Sequence, residues 1–106
     1  PTVTGVQVAT IAIASDAPYF AGHFPDDPIV PGAHLLDRII AAILVDKPSL
    51  AYPLEVLSSK FLRPVRPSHE VHLEWEITSE TIRFTARVDN KTVVTGALRV
   101  GAVDTP

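Results

Sequence analysis

One run of residues constrains this chain more than any other. From Gly32 to Val45, the residues Leu35, Leu36, Ile39, Ile40, Ile43 and Leu44 recur at helical spacing and cover more than one helical face. A surface helix shows a single apolar stripe, so this helix must be covered on most of its sides. Asp46-Lys47-Pro48 predicts its end, because proline cannot continue the hydrogen-bond ladder and disfavours helical geometry at the residue before it. With 106 residues, the chain can build one core around such a helix, burying roughly 65% of its unfolded surface. A single domain over residues 1–106 is the simplest organisation.

The rest of the chain alternates with period two. Between His69 and Ile77, the side chains of Val71, Leu73, Trp75 and Ile77 share one face and those of Glu70, His72, Glu74 and Glu76 the other. Ile82, Phe84, Ala86 and Val88 then alternate with Arg83, Thr85 and Arg87, so an acidic and a basic outer face can sit side by side in an antiparallel pair. Thr78-Ser79-Glu80 predicts the turn between them, and Asp89-Asn90-Lys91 a second turn leading into a strand from Thr92 to Val100. Val6 to Ile13, broken at Ser15-Asp16-Ala17-Pro18, and Leu54 to Leu62 predict two further strands. The resulting class is α+β, an antiparallel sheet wrapped around one central, largely buried helix. That helix carries more apolar surface than one sheet face covers, so a homodimer or higher homo-oligomer is expected.

Composition removes several classes of function. The chain has no Cys, which excludes disulfide frameworks, thiolate zinc sites and thiol nucleophiles. Nine Lys and Arg against twelve Asp and Glu give a formal charge of −3, and no basic run is present to neutralise a series of phosphates, so no nucleic-acid partner is expected. The strongly apolar stretch from Leu35 to Val45, interrupted by Asp37 and Arg38, falls short of the roughly 20 residues that span a bilayer, so no membrane partner is expected. No basic segment followed by an apolar one precedes residue 15, which makes the cytoplasm the expected location, and the lack of Met implies a processed or trimmed N-terminus. His69 and His72, three apart in a strand, point to opposite faces, while His23, His34 and Asp37 have no further ligand placed by spacing; no metal and no cofactor are expected. Ser58 and Ser59 lack a nucleophile-elbow context, and no glycine loop for phosphate is present.

Between Tyr19 and Gly32 lie three of the ten prolines (Pro25, Pro28 and Pro31), two glycines and the pair Asp26-Asp27, a composition that resists both helix and interior strand. A rigid irregular loop is predicted, since each proline fixes its own φ and restricts its predecessor. The segment Gly22-His23-Phe24-Pro25-Asp26-Asp27-Pro28-Ile29-Val30-Pro31-Gly32, followed by Asp37, resembles the β-hydroxyacyl-acyl carrier protein dehydratases of the hotdog fold. In that family a His-Phe pair opens a loop ending in Pro-Gly, and an acidic residue follows on the central helix. Phe61-Leu62-Arg63-Pro64-Val65-Arg66-Pro67 is similar to the family's Phe-x-Arg-Pro-Val-x-Pro-Gly, and Val88-Asp89-Asn90-Lys91 to its Val-Asp-Gly-Lys hairpin. The resemblance runs from about Tyr19 to Val100 and departs from the family at Asp26, which stands for a glycine, at Ala41, which stands for a Gln, and at His69, which stands for a glycine.

The residues suit the chemistry that the resemblance implies. Dehydrating a 3-hydroxyacyl thioester to a trans-2-enoyl thioester requires a base for the proton beside the carbonyl, stabilisation of the enolate oxygen, and an acid for the departing hydroxyl. Histidine titrates near neutrality, so His23 can serve as the base. Gly32 opens the helix, where unpaired amides and the positive end of the dipole lie, and its missing side chain lets a carbonyl approach. Asp37, among Leu35, Leu36, Ile40 and Ala41, is expected to be desolvated and therefore protonated, the form that donates to a leaving hydroxyl. The resemblance further implies that the base and acid of one site come from different protomers and that the acyl chain runs along the helix, past Phe24, Pro31, Ala33, Leu36 and Ile40. Lys60, Arg63 and Arg66 are the expected receptors for a phosphopantetheine phosphate or an acidic acyl carrier protein.

Plainer roles stand beside these. His23 can be a surface or hydrogen-bonding residue, Asp37 can face solvent or pair with Arg38 or Lys47, and Gly32 can simply permit tight packing. Asp26 and Asp27 read as solvated turn residues, His34 as exposed or supporting the site at one remove, and the basic trio as a solubilising strand edge. A hotdog thioesterase and a non-catalytic acyl-binding or carrier-binding module are the alternatives to a dehydratase.

Overall fold

The computed structural model describes residues 5–13, 30–46, 54–66 and 69–100. The elements run β1 (Gln7–Ala12), α1 (Gly32–Asp46), β2 (Leu54–Phe61), β3 (Glu70–Thr78), β4 (Thr81–Val88) and β5 (Lys91–Val100). The strands form one five-stranded sheet in the order β1-β3-β4-β5-β2, and every neighbouring pair is antiparallel. This is the α+β hotdog arrangement expected from the period-two pattern and the single helix. The segment from Tyr19 to Ile29, with His23, Phe24 and Asp26, lies outside the described residues, as does Lys47.

Alternation decides what each strand buries. Val71, Leu73 and Trp75 of β3 and Ile82, Phe84, Ala86 and Val88 of β4 point into the core, while Ile77, near the end of β3, is half-buried. On the outer face Glu76 stands opposite Arg83 and His72 opposite Arg87, and Arg87 reaches diagonally to Glu74 at 2.7 Å. The complementary faces legible in the sequence therefore meet. Both hairpins close more tightly than the sequence suggests, with Thr78 and Lys91 already paired in strands and only two residues left in each turn. Ser79 takes φ 58°, and Asp89 and Asn90 take 52° and 65°. Asp and Asn tolerate this left-handed region, and a turn with positive φ at both central residues matches the natural twist of a hairpin.

The helix buries Leu35, Ile39 and Ile43 against Ile11, Leu73, Ile82, Phe84, Val94 and Leu98, in a core that holds no polar or charged side chain among the described residues. Each fully buried Leu or Ile contributes about 1.5–3 kcal/mol. Within one chain this covers a single stripe. Leu36, Ile40, Ala42 and Leu44 are half-buried, and Ala33, His34, Asp37, Arg38, Ala41 and Val45 are exposed. Arg38 ties the helix to the end of β1 through a 3.2 Å bond from its guanidinium to the Ala12 carbonyl.

The edge strand β2 is the other incomplete surface. It pairs with β5 on one side only, and a bulge between Val56 and Ser58 breaks its register. Val56, Leu57, Phe61 and Leu62 are all exposed. An apolar strand with an open hydrogen-bonding edge is a ready template for another chain.

Candidate active site

The start of α1 is set by the sequence around Pro31. Leu35 donates its amide to the Pro31 carbonyl at 3.0 Å, the first bond of the helix. The amides of Gly32 and Ala33 precede it and have no acceptor within the helix. No acidic side chain occupies the first turn of the helix, so none of that turn's own residues offsets the positive end of the helix dipole. Amides left without a partner in the helix are the kind of donor that suits a developing negative oxygen.

A cavity of about 390 Å³ opens beside this helix end, lined by Val30, Gly32, Leu35, Phe61, Leu62, Arg63, Pro64 and Val65. Val65 forms its buried floor and accepts the Val30 amide at 2.7 Å. Gly32 lies against the ring of Phe61, where a Cβ would come within 3.2 Å of Cζ. The plain role of Gly32, permitting close packing, is thus observed.

The predicted residues divide into three groups. Gly32 lines the cavity, with Pro31 exposed beside it and Ala33 exposed one position on. Leu36 and Ile40 pack half-buried against the core. Asp37 stands on the exposed stripe of the helix, with Ala33 and Ala41 one turn to either side. None of the described residues covers its carboxyl, so the desolvation expected for Asp37 requires a further surface over that stripe. His23 and Phe24 lie outside the described residues.

The basic trio does not stay together. Lys60 stands opposite Thr95 and Phe61 opposite Val94, so their side chains project to opposite faces of the sheet and Lys60 turns away from the cavity. Arg63 and Arg66 share a second cleft of about 300 Å³, completed by Pro64, His69, Val88, Asp89, Lys91 and Val93. Lys91 was missed as a basic site residue, although the Val-Asp-Asn-Lys hairpin had already singled it out as a motif residue. No group of three or more metal-ligating side chains occurs among the described residues, and no described helix is long and apolar enough to cross a membrane.

Comparisons with known proteins agree with this architecture. A 3-hydroxyacyl-[acyl-carrier-protein] dehydratase FabZ of Caulobacter sp. (strain K31) is 27% identical over 99% of this chain and 71% of its own length. A protein of the same name from Anaeromyxobacter sp. (strain K) is 31% identical over 69% of this chain, a match that spans about half (53%) of that relative. Among solved structures, the dehydratase heterocomplex ApeI:P from Xenorhabdus doucetiae superposes with a TM-score of 0.72 at 20% identity, covering 91% of this chain and 87% of that one, and it shares the hotdog fold. The model of ApeI-like dehydratases matches residues 4–97, which takes in the His-Phe motif, the whole of α1, β1 to β4 and most of β5, and the chain belongs to that family.

Proposed function

We propose that this chain removes water from 3-hydroxyacyl thioesters to give trans-2-enoyl thioesters. The observation that carries the reading is the open N-terminus of α1, whose Gly32 lines the cavity while Asp37 lies about 7.5 Å further along the helix axis. The thioester carbonyl sits at the Gly32 and Ala33 amides. His23 takes the proton from the carbon beside that carbonyl, and the amides stabilise the enolate oxygen. As the enolate collapses to the double bond, Asp37 donates its proton to the departing hydroxyl, which leaves as water.

The working unit in this reading is a homodimer. Two features support it: the open apolar edge of β2, and the half-covered flank of α1 with Asp37 exposed upon it. A second chain over that stripe desolvates Asp37 and brings the partner subunit's His23 to it. The acyl chain lies along Leu36 and Ile40, and the thiol handle, an acyl carrier protein or coenzyme A, meets the cleft of Arg63 and Arg66. The step suits fatty acid biosynthesis in the cytoplasm.

The test is incubation with 3-hydroxyacyl and trans-2-enoyl thioesters of several chain lengths, on both handles, beside His23→Ala and Asp37→Asn. Interconversion that falls by about 10²–10⁴ in each variant is the expected outcome, the range for losing a positioned acid or base. Release of free acid, or binding without turnover, overturns the reading.

A further inference from the structure

His69 stands outside the proposed chemistry, yet the backbone around the site converges on it. The Arg66 amide donates to His69 Nδ1 at 2.9 Å, and the His69 amide donates back to the Arg66 carbonyl at 3.2 Å. In this reciprocal pair a side-chain nitrogen and a backbone carbonyl each satisfy the other residue's amide, a local side-chain-to-backbone closure of the kind that fixes turns. It ties Arg66 to His69 across the segment that connects β2 to β3.

That segment holds two other parts of the chain. The Ile13 amide donates to the His69 carbonyl at 3.3 Å, and the Val30 amide donates to the Val65 carbonyl at 2.7 Å. Ile13 and Val30 are both buried, at 3% and 4% exposure, as is Val65 at 1%. Ile13 ends the described residues before position 14, and Val30 begins them after position 29. The stretch of sequence bearing His23 therefore enters and leaves at two points held by the same few residues. Val30 also precedes Pro31, whose carbonyl accepts the first bond of α1, so the position of the helix amides depends on the same anchor.

We infer that His69 is a positioning residue for the site, its Nδ1 acting as the acceptor that holds Arg66 beside Val65 and, through the Val65 and His69 carbonyls, holds Val30 at the helix start and Ile13 after β1. The inference rests on the dehydratase reading for its effect on turnover, and on hydrogen bonds alone for the anchor itself. The bond requires an unprotonated Nδ1, which places the ring proton of the neutral imidazole on Nε2. Protonation of the ring turns Nδ1 into a donor facing the Arg66 N–H. The groups that share its cleft are Arg63, Arg66 and Lys91, with Asp89 the one carboxylate among the described lining. Asn offers the matching control, since its Oδ1 occupies the same position along the side chain as His Nδ1, accepts in the same way and does not titrate.

The experiment compares His69→Ala with His69→Asn by amide hydrogen exchange and by turnover across pH. Exchange at Arg66, Ile13 and Val30, read without substrate, is expected to accelerate about tenfold in His69→Ala, the scale of one lost hydrogen bond, and to return toward the parent rate in His69→Asn. Below the melting temperature of each variant, kcat is expected to fall about tenfold in His69→Ala with KM within twofold, and to recover in His69→Asn. Unchanged exchange at the three amides in His69→Ala overturns the inference, as does a His69→Asn variant that behaves like His69→Ala. A parent protein without turnover but with the expected exchange pattern refutes the dehydratase reading and leaves the anchor standing.

Discussion

The ring of Phe61 covers Gly32 so closely that a methyl group on residue 32 would meet three of its carbons at 3.2–3.4 Å. One residue comes from the exposed edge strand and the other from the first turn of the helix. Both residues line the cavity beside the helix start. Because Phe61 is exposed and can swing aside, Gly32→Ala is expected to change stability by less than about 1 kcal/mol in urea unfolding. The added methyl would nonetheless occupy the approach to the amides, and turnover of a 3-hydroxyacyl thioester should fall by at least about tenfold. Parent-like turnover in Gly32→Ala would show that the carbonyl does not approach there.

A different glycine tests the fold without touching the site. Gly96 stands opposite Phe84 in the β4–β5 ladder, and a Cβ there would lie 2.5 Å from the Phe84 ring and 2.6 Å from the Ser58 carbonyl. The ring is buried and the carbonyl belongs to the backbone, so neither can move away freely. Gly96→Ala is expected to lower stability by about 1–3 kcal/mol with an unchanged denaturant slope, as overpacked cores do. Equal midpoints for the variant and the parent would contradict this packing.

The edge of β2 makes a prediction about assembly. Light scattering after size-exclusion chromatography should return a dimer at micromolar concentration. Val56→Lys combined with Leu57→Lys, on two exposed residues at the bulge, should shift it toward monomer because charged side chains protect an open edge. Turnover should be lost in parallel, since the proposed base and acid belong to different protomers. A fully active monomer would separate the site from the interface.

The cleft of Arg63, Arg66 and Lys91 predicts a dependence on charge. Arg63→Glu with Arg66→Glu should weaken binding of an acyl carrier protein by at least about tenfold at low salt, with a smaller effect at high salt, as expected for exposed charges. Adding Lys91→Glu should weaken it further, whereas Lys60→Glu, on the opposite face, should do little. An equal response to Lys60→Glu and Lys91→Glu would show that the cleft does not select the partner.

Much of the architecture was legible because it is written in local periodicity. The helix from Gly32 to Asp46 and the β3–β4 hairpin follow from spacings of 3.6 and 2 and from turn residues that accept positive φ. For the proposed site the sequence offers a motif, which names His23, Gly32 and Asp37 but carries no information about what surrounds them. Lys60 was grouped with Arg63 and Arg66 by proximity in sequence, and the pleat of β2 sends it to the other face. His69 was seen as a departure from a glycine, and its hydrogen bonds to Arg66 and Ile13 give that departure a structural use.

The sequence by itself determined the elements, their order, the apolar character of the core and the acidic and basic faces that meet across β3 and β4, because each depends on neighbours a few residues apart. Only the tertiary structure decided that β2 lies at the sheet edge beside β5, that Phe61 reaches Gly32, that Lys91 joins Arg63 and Arg66, and that Asp37 is left exposed among the described residues. Those relationships arise from strands pairing across tens of residues, and the pattern of residues within a segment specifies which face is buried without specifying what comes to cover it.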